Sequence, residues 1–148
     1  MFIIRNLLVV LFAFSLFGCS SNEAYQPDFK GVNASKLSQV SVVRPADLLT
    51  ASQGVQLSVD GKLVDKIWHD DTVSFDVIRG MHELETSVGV SLGLPNITGY
   101  NGARAYEINL QFTKEKYFFK IEYSPSLMVG QHIISEITEE EFNGLLTK

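Results

Sequence analysis

From Gln39 onward the chain alternates apolar and polar residues, the period of two that puts every second side chain on one face of a sheet. Val40 and Val42 alternate and stop at Arg44-Pro45. Val55, Leu57 and Val59 alternate into Asp60-Gly61, a hairpin signal because both turn residues tolerate positive φ. The return strand is Lys62 to Ile67, and its register stays open: a two-residue turn sets Leu57 opposite Val64, a bulged turn opposite Leu63. Val73, Phe75 and Val77 alternate next, Arg79-Gly80 interrupts, and Leu84, Thr86, Val88 and Val90 continue, which predicts a second hairpin. Tyr106, Ile108, Leu110 and Phe112 face Tyr117, Phe119, Ile121 and Tyr123 across the charged turn Thr113 to Lys116, predicting a third strand pair. A last strand fits His132 to Ile137. Thr138 with Glu141 then has the form of a capping box, opening a short terminal helix with Phe142, Leu145 and Leu146 on one side. Seven or eight short strands at turn-marked spacing predict an all-β fold, a small antiparallel β-sandwich with a short C-terminal helix.

The first residues follow another pattern. Arg5 precedes Leu7 to Phe17, a run apolar except for Ser15, which has the length of a signal-peptide core and is too short to span a bilayer. The run ends in Leu16-Phe17-Gly18-Cys19, which resembles the lipobox of bacterial lipoproteins. That resemblance implies that the thiol of Cys19 takes a diacylglyceryl group and that the chain is cut before it. It also accounts for the only cysteine, which would otherwise be an unpaired thiol in an oxidising compartment. Acyl chains contribute about 0.8 kcal/mol per buried methylene, so two or three of them anchor firmly. Ser20 after the cysteine, in the proteins it resembles, implies sorting to the outer membrane. The boundaries expected are a signal peptide at 1–18, a lipidated N-terminus and flexible tether at 19–37, and a β-sandwich domain at 38–148. The tether is polar, broken by Pro27 and Gly31, and if flexible spans roughly 20–25 Å.

Removing residues 1–18 from the 148 leaves about 130, enough for one domain with a modest core. It also removes Arg5, moving the formal net charge from −5 to about −6. That balance argues against nucleic acid as a partner and against a basic membrane-surface patch. The order "VSVVRP", "VQLSVDGKLV", "IRGMHELETSV" and "KYFFKIEY" resembles a family of bacterial envelope lipoproteins over about Val40 to Ile137. Its Gly-x-His turn, here Gly80-Met81-His82, is similar to domains named for a Pro-Glu-Gly-Ala motif. The family has no assigned activity, so the resemblance implies fold and location and no catalytic residue.

Candidate chemistry is sparse. Gly89-Val90-Ser91-Leu92-Gly93 matches the nucleophile elbow, but Leu94-Pro95-Asn96 follows where the elbow needs a helix. His69-Asp70-Asp71 and His82-Glu83 would form a metal site only if they converged, and their spacing fits no closed zinc pattern. Asp70 and Asp71 read as a turn, and His82, in phase with Leu84, reads as a hydrogen-bonded histidine at the edge of the core. Asn33-Ala34-Ser35 and Asn96-Ile97-Thr98 match the glycosylation pattern, which a bacterial lipoprotein is not expected to use. Trp68, with Tyr100 and Asn101 in a long Gly-rich loop, is the candidate ligand-binding set, since an exposed indole stacks on a sugar ring; the competing reading buries Trp68 as a cap on the sandwich. No catalytic residue, metal or cofactor is expected. The expectation is a non-enzymatic, lipid-anchored interaction or structural module in the bacterial envelope, facing the periplasm. Its partners would be the membrane and either an envelope protein or cell-wall glycan. The rival readings are a glycan-binding module and a small hydrolase or metal protein.

Overall fold

The computed structural model describes residues 24–88, 106–125 and 131–147. Within them lie eight strands: β1 (Leu37–Arg44), β2 (Val55–Val59), β3 (Lys62–Ile67), β4 (Asp71–Ile78), β5 (Gly80–Val88), β6 (Tyr106–Phe112), β7 (Lys116–Ser124) and β8 (Gln131–Ile137). One helix, α1 (Glu139–Leu146), follows. The strands form two four-stranded sheets, ordered β4-β1-β7-β8 and β3-β2-β5-β6. The inward positions of the first sheet (Val40, Val42, Val77, Phe119, Ile121, Ile134) meet those of the second (Val55, Leu57, Val59, Ile67, Leu84, Phe112) in one buried cluster. This is the all-β, two-sheet architecture that the alternation predicts.

Pairing departs from the sequence expectation in three places. At the Asp60-Gly61 hairpin both turn residues have positive φ, 50° and 73°, and Val59 pairs with Lys62. A bulge then places Leu57 opposite Asp65, neither Val64 nor Leu63, because Val64 is the extra residue of β3. The strands on either side of Arg79 do not form a hairpin: β4 pairs with β1, and β5 with β2 and β6, in opposite sheets. One residue between Ile78 and Gly80 is too few for a reverse turn, so the chain arches across the core instead. Arg79 fastens that arch, its backbone N–H donating to Lys36 O at 2.7 Å and its Nε to Leu37 O at 3.3 Å.

The runs either side of Thr113 to Glu115 are also strands, yet they too sit in opposite sheets, and β7 runs parallel to β1 while its other neighbour and the remaining pairs are antiparallel. The Tyr117 hydroxyl holds this second arch, accepting from the N–H groups of Thr113 (2.7 Å) and Lys114 (3.1 Å) and donating to Gln111 O (3.2 Å). Ser38 Oγ donates to Lys114 O at 2.6 Å and Gln39 N–H to Glu115 O at 2.8 Å, tying the arch to β1. α1 starts at its Thr138 cap, whose side chain accepts from Glu141 N at 3.1 Å. The reciprocal half of the capping box is replaced by Lys120, whose Nζ donates to Glu141 Oε1 at 3.1 Å. Phe142 packs on Phe118 with ring centroids 5.1 Å apart, whereas Leu146 stays exposed.

The segment read as a flexible tether is held against the sandwich from Ala24 on. Ala24 makes a parallel bridge to Leu63, and Tyr25 N–H donates to Leu63 O at 2.7 Å. The Tyr25 ring meets Phe75 edge-on at 5.8 Å and its hydroxyl donates to Asp76 O at 3.0 Å, closing the side between β3 and β4. Burial, with the carboxylates of Asp60 and Asp76 nearby, pushes its hydroxyl up to about 12. An aromatic ring that finds an apolar partner is worth more docked than solvated.

Candidate interaction rim

β1 puts Val40, Val42 and Arg44 on the inward face, so the strand ends with a guanidinium inside the sandwich. Arg44 Nη1 donates to Ile67 O at 3.1 Å and to Gln53 O, and Nη2 donates to Thr50 O at 2.9 Å and Thr50 Oγ1 at 3.0 Å. One side chain thus ties the end of β1 to the middle and the far end of the 45–54 loop and to the end of β3. Asp47 completes the loop: Oδ1 accepts from Leu49 N–H at 2.9 Å, Oδ2 from Thr50 Oγ1 at 3.2 Å, and its own N–H donates to His69 Nδ1 at 3.1 Å. Burial lowers the pKa of Arg44 and Asp47 opposes the shift.

Behind the guanidinium sits His132, 3% exposed, its Nε2 3.5 Å from Arg44 Nη2 and its ring 5.4 Å from Tyr123. Burial and then the Arg44 cation pull its pKa down from 6.5 to about 4, with Asp47 acting the other way, so the imidazole is neutral at pH 7. With Nε2 facing a cationic donor, the proton belongs on Nδ1, which has no partner among the described residues.

This buried frame supports an apolar surface. Leu48 is 93% exposed and Leu49 79%, at the tip of the loop that Arg44 and Asp47 hold. Trp68, directly after β3, is 47% exposed, with Lys66 Nζ 4.5 Å over its ring. It is therefore a surface residue and not a cap buried in the sandwich. His69 bridges the two parts through Asp47 N–H, so the leucines and the indole occupy the same end of the sandwich. Beside them lies a shallow concavity of about 380 Å³, lined by Arg44, Pro45, Asp47, Thr50, Glu122 and Tyr123 among others.

Sequence reasoning located Trp68 but missed Arg44, the leucine pair and His132 as parts of one end. Arg44 carried a signal, a cation in phase with two inward valines; Leu48-Leu49 carried another, an apolar pair outside any alternation. Cys19, Ser91, Tyr100 and Asn101 lie outside the described residues. The two histidines considered as metal ligands do not meet. His69 belongs to the rim, whereas His82 sits at the opposite end, its Nδ1 2.6 Å from Asp60 Oδ2 and its Nε2 2.7 Å from Ile78 O. This is the hydrogen-bonded histidine that its phase with Leu84 predicts. Burial opposes ionisation of Asp60, yet bonds from Glu83 N–H and His82 hold its carboxyl below the usual range. No group of three or more metal-ligating side chains occurs among the described residues. No family model, curated protein or solved structure matches the chain.

Proposed function

We propose that the chain is a lipid-anchored, non-enzymatic lipoprotein of the bacterial envelope, probed by its partners at the rim formed by Leu48, Leu49 and Trp68. The anchor rests on Leu16-Phe17-Gly18-Cys19 behind an apolar leader, and Ser20 after the cysteine supports an outer-membrane location facing the periplasm. The docking role rests on one observation: two leucines and a tryptophan stand in solvent on a loop and a strand end that a buried arginine holds in place. Side chains this apolar cost solvation free energy when exposed, and a rigid frame lowers the entropy lost when a partner covers them. Arg44 donates to backbone carbonyls, Thr50 and His132, which suits a structural role better than a catalytic one. The partner favoured is an envelope protein with an apolar pocket. The half-exposed indole favours a second reading, stacking on cell-wall glycan.

A photo-crosslinking residue placed at Leu48 in cells, with one at Asn109 on β6 as control, tests the reading. A discrete protein adduct at 48 that is absent at 109 and is lost in Leu49→Asp supports it. Identical adducts at both positions overturn it. Retention of the chain on isolated sacculi, released by Trp68→Ala, would transfer the assignment to glycan.

A further inference from the structure

The edge strands of the two sheets are β3, β4, β6 and β8, and all but β6 carry a device against further pairing. At β3 a bulge breaks the register and Ala24 bridges to Leu63. At β4 the Tyr25 hydroxyl occupies Asp76 O, and at β8 the carbonyl of His132 accepts from Thr86 Oγ1 at 2.7 Å. β6 runs beside β5 without a bulge from Tyr106 to Phe112, and contains no proline, glycine, lysine or arginine; Glu107 is its one charge. Such an edge presents a row of N–H and C=O groups that another strand can take.

The ladder shows which groups these are. In an antiparallel pair the N–H and C=O of one residue point to the same side. Glu83 turns both toward the β2–β3 turn, its O accepting from Asp60 N–H at 2.9 Å and its N–H donating to Asp60 Oδ1 at 3.0 Å. Its partner on β6, Asn109, therefore directs its N–H and C=O away from β5, and by the period of two so do Glu107 and Gln111. Gln111 O fits this, since it accepts from the Tyr117 hydroxyl at 3.2 Å and keeps a second lone pair. No strand lies outside β6 among the described residues. On the inward face Tyr106, Ile108 and Leu110 pack against the core but are only partly buried.

We infer that β6 pairs antiparallel with β6 of a second copy of this chain about a two-fold axis at Asn109, joining the two β3-β2-β5-β6 sheets into one. In that register Asn109 meets its own counterpart and Glu107 meets Gln111 of the second copy, so the outward residues exchange up to about six backbone hydrogen bonds. Ile108 meets Leu110 and Tyr106 meets Phe112, which covers the partly buried row on both copies. The acidic row Glu85-Glu107 of one copy continues into Gln111-Met81 of the other, so no acid faces an acid across the axis. The two Glu107 side chains stay roughly 14 Å apart, beyond the screening length of about 8 Å at physiological salt. An axis at residue 107 would set these glutamates face to face, and one at residue 111 would leave fewer bonds within the strand.

Native mass spectrometry of the full chain, purified in mild detergent, tests the pairing over a concentration series. A dimer is expected whose fraction rises with concentration. Asn109→Pro removes an N–H that β5 does not use, and should weaken the dimer about tenfold or more while the urea midpoint of the domain holds. Asn109→Lys and Asn109→Asp each set like charges opposite one another and should also shift the chain to monomer at low salt. Mixing these two variants should restore a dimer containing one of each, because position 109 meets itself only at the axis. In cells, a photo-crosslinking residue at Asn109 should give an adduct of twice the chain's mass, different from any adduct at Leu48. A native chain that stays monomeric throughout, a dimer unmoved by Asn109→Pro and Asn109→Lys, or charged variants that do not restore each other would overturn the pairing. An adduct at 109 with another protein and none with a second copy would overturn it as well.

Discussion

Replacing His132 by glutamine should remove a pH dependence of stability that the native chain carries. In the folded protein the imidazole pKa is held at about 4, first by burial and second by the Arg44 cation. In the unfolded chain it returns to near 6.5, so between these values the unfolded state binds more protons than the folded one. Stability from this group is fully present above pH 6.5 and falls as the pH is lowered toward 4. The whole displacement corresponds to about 3 kcal/mol, of which about 2 kcal/mol is lost by pH 5. Glutamine keeps an acceptor for Arg44 Nη2 but takes up no proton. Urea unfolding of both chains at pH 7 and pH 5 measures the effect as a difference of differences, which cancels carboxylates common to both and any fixed cost of the substitution. The pH-induced loss should be about 2 kcal/mol smaller in His132→Gln. Equal losses in the two chains would refute the reasoning, since they would mean that His132 does not stay neutral in the folded state.

Arg44→Met should cost about 3–5 kcal/mol in a urea titration, because it leaves the carbonyls of Gln53, Ile67 and Thr50 without their donor; protease cleavage within residues 45–54 should rise before the rest of the chain is attacked. Tyr117→Phe removes the hydroxyl that serves Thr113 N–H, Lys114 N–H and Gln111 O, and should cost about 1–3 kcal/mol with faster amide exchange at Thr113 and Lys114. Unchanged exchange at those two amides would mean that the arch is held by other contacts.

Much of the candidate rim was written in the chain but in forms that periodicity does not decode. Trp68 is visible as the lone indole, yet whether it caps the core or faces solvent depends on how β3 ends against β4. Arg44 breaks the apolar phase of β1, and a cation at an inward position means either a misplaced strand or a hub; only the three carbonyls that converge on it decide. His132 shows no local sign of its low pKa, because burial, its main cause, is set by the whole domain and the Arg44 cation that adds to it lies 88 residues away in sequence.

The sequence by itself determined the strands, their inward faces, the Asp60-Gly61 turn, the Thr138 cap and the all-β class. Each follows from interactions within a few residues: alternation, positive φ, a side-chain oxygen reaching the third amide ahead. Tertiary structure decided which strands are neighbours, the bulge at Val64, the parallel seating of β7 beside β1, the docking of Tyr25 and the joining of Leu48, Leu49 and Trp68 at one end. Alternation states which face of a strand is buried and is silent on its partner, so the two adjacent-strand pairs expected across Arg79 and across Thr113 to Glu115 became arches between sheets. What selects among partners is the closure of the core and the satisfaction of buried polar groups such as Arg44, and both depend on the whole domain at once.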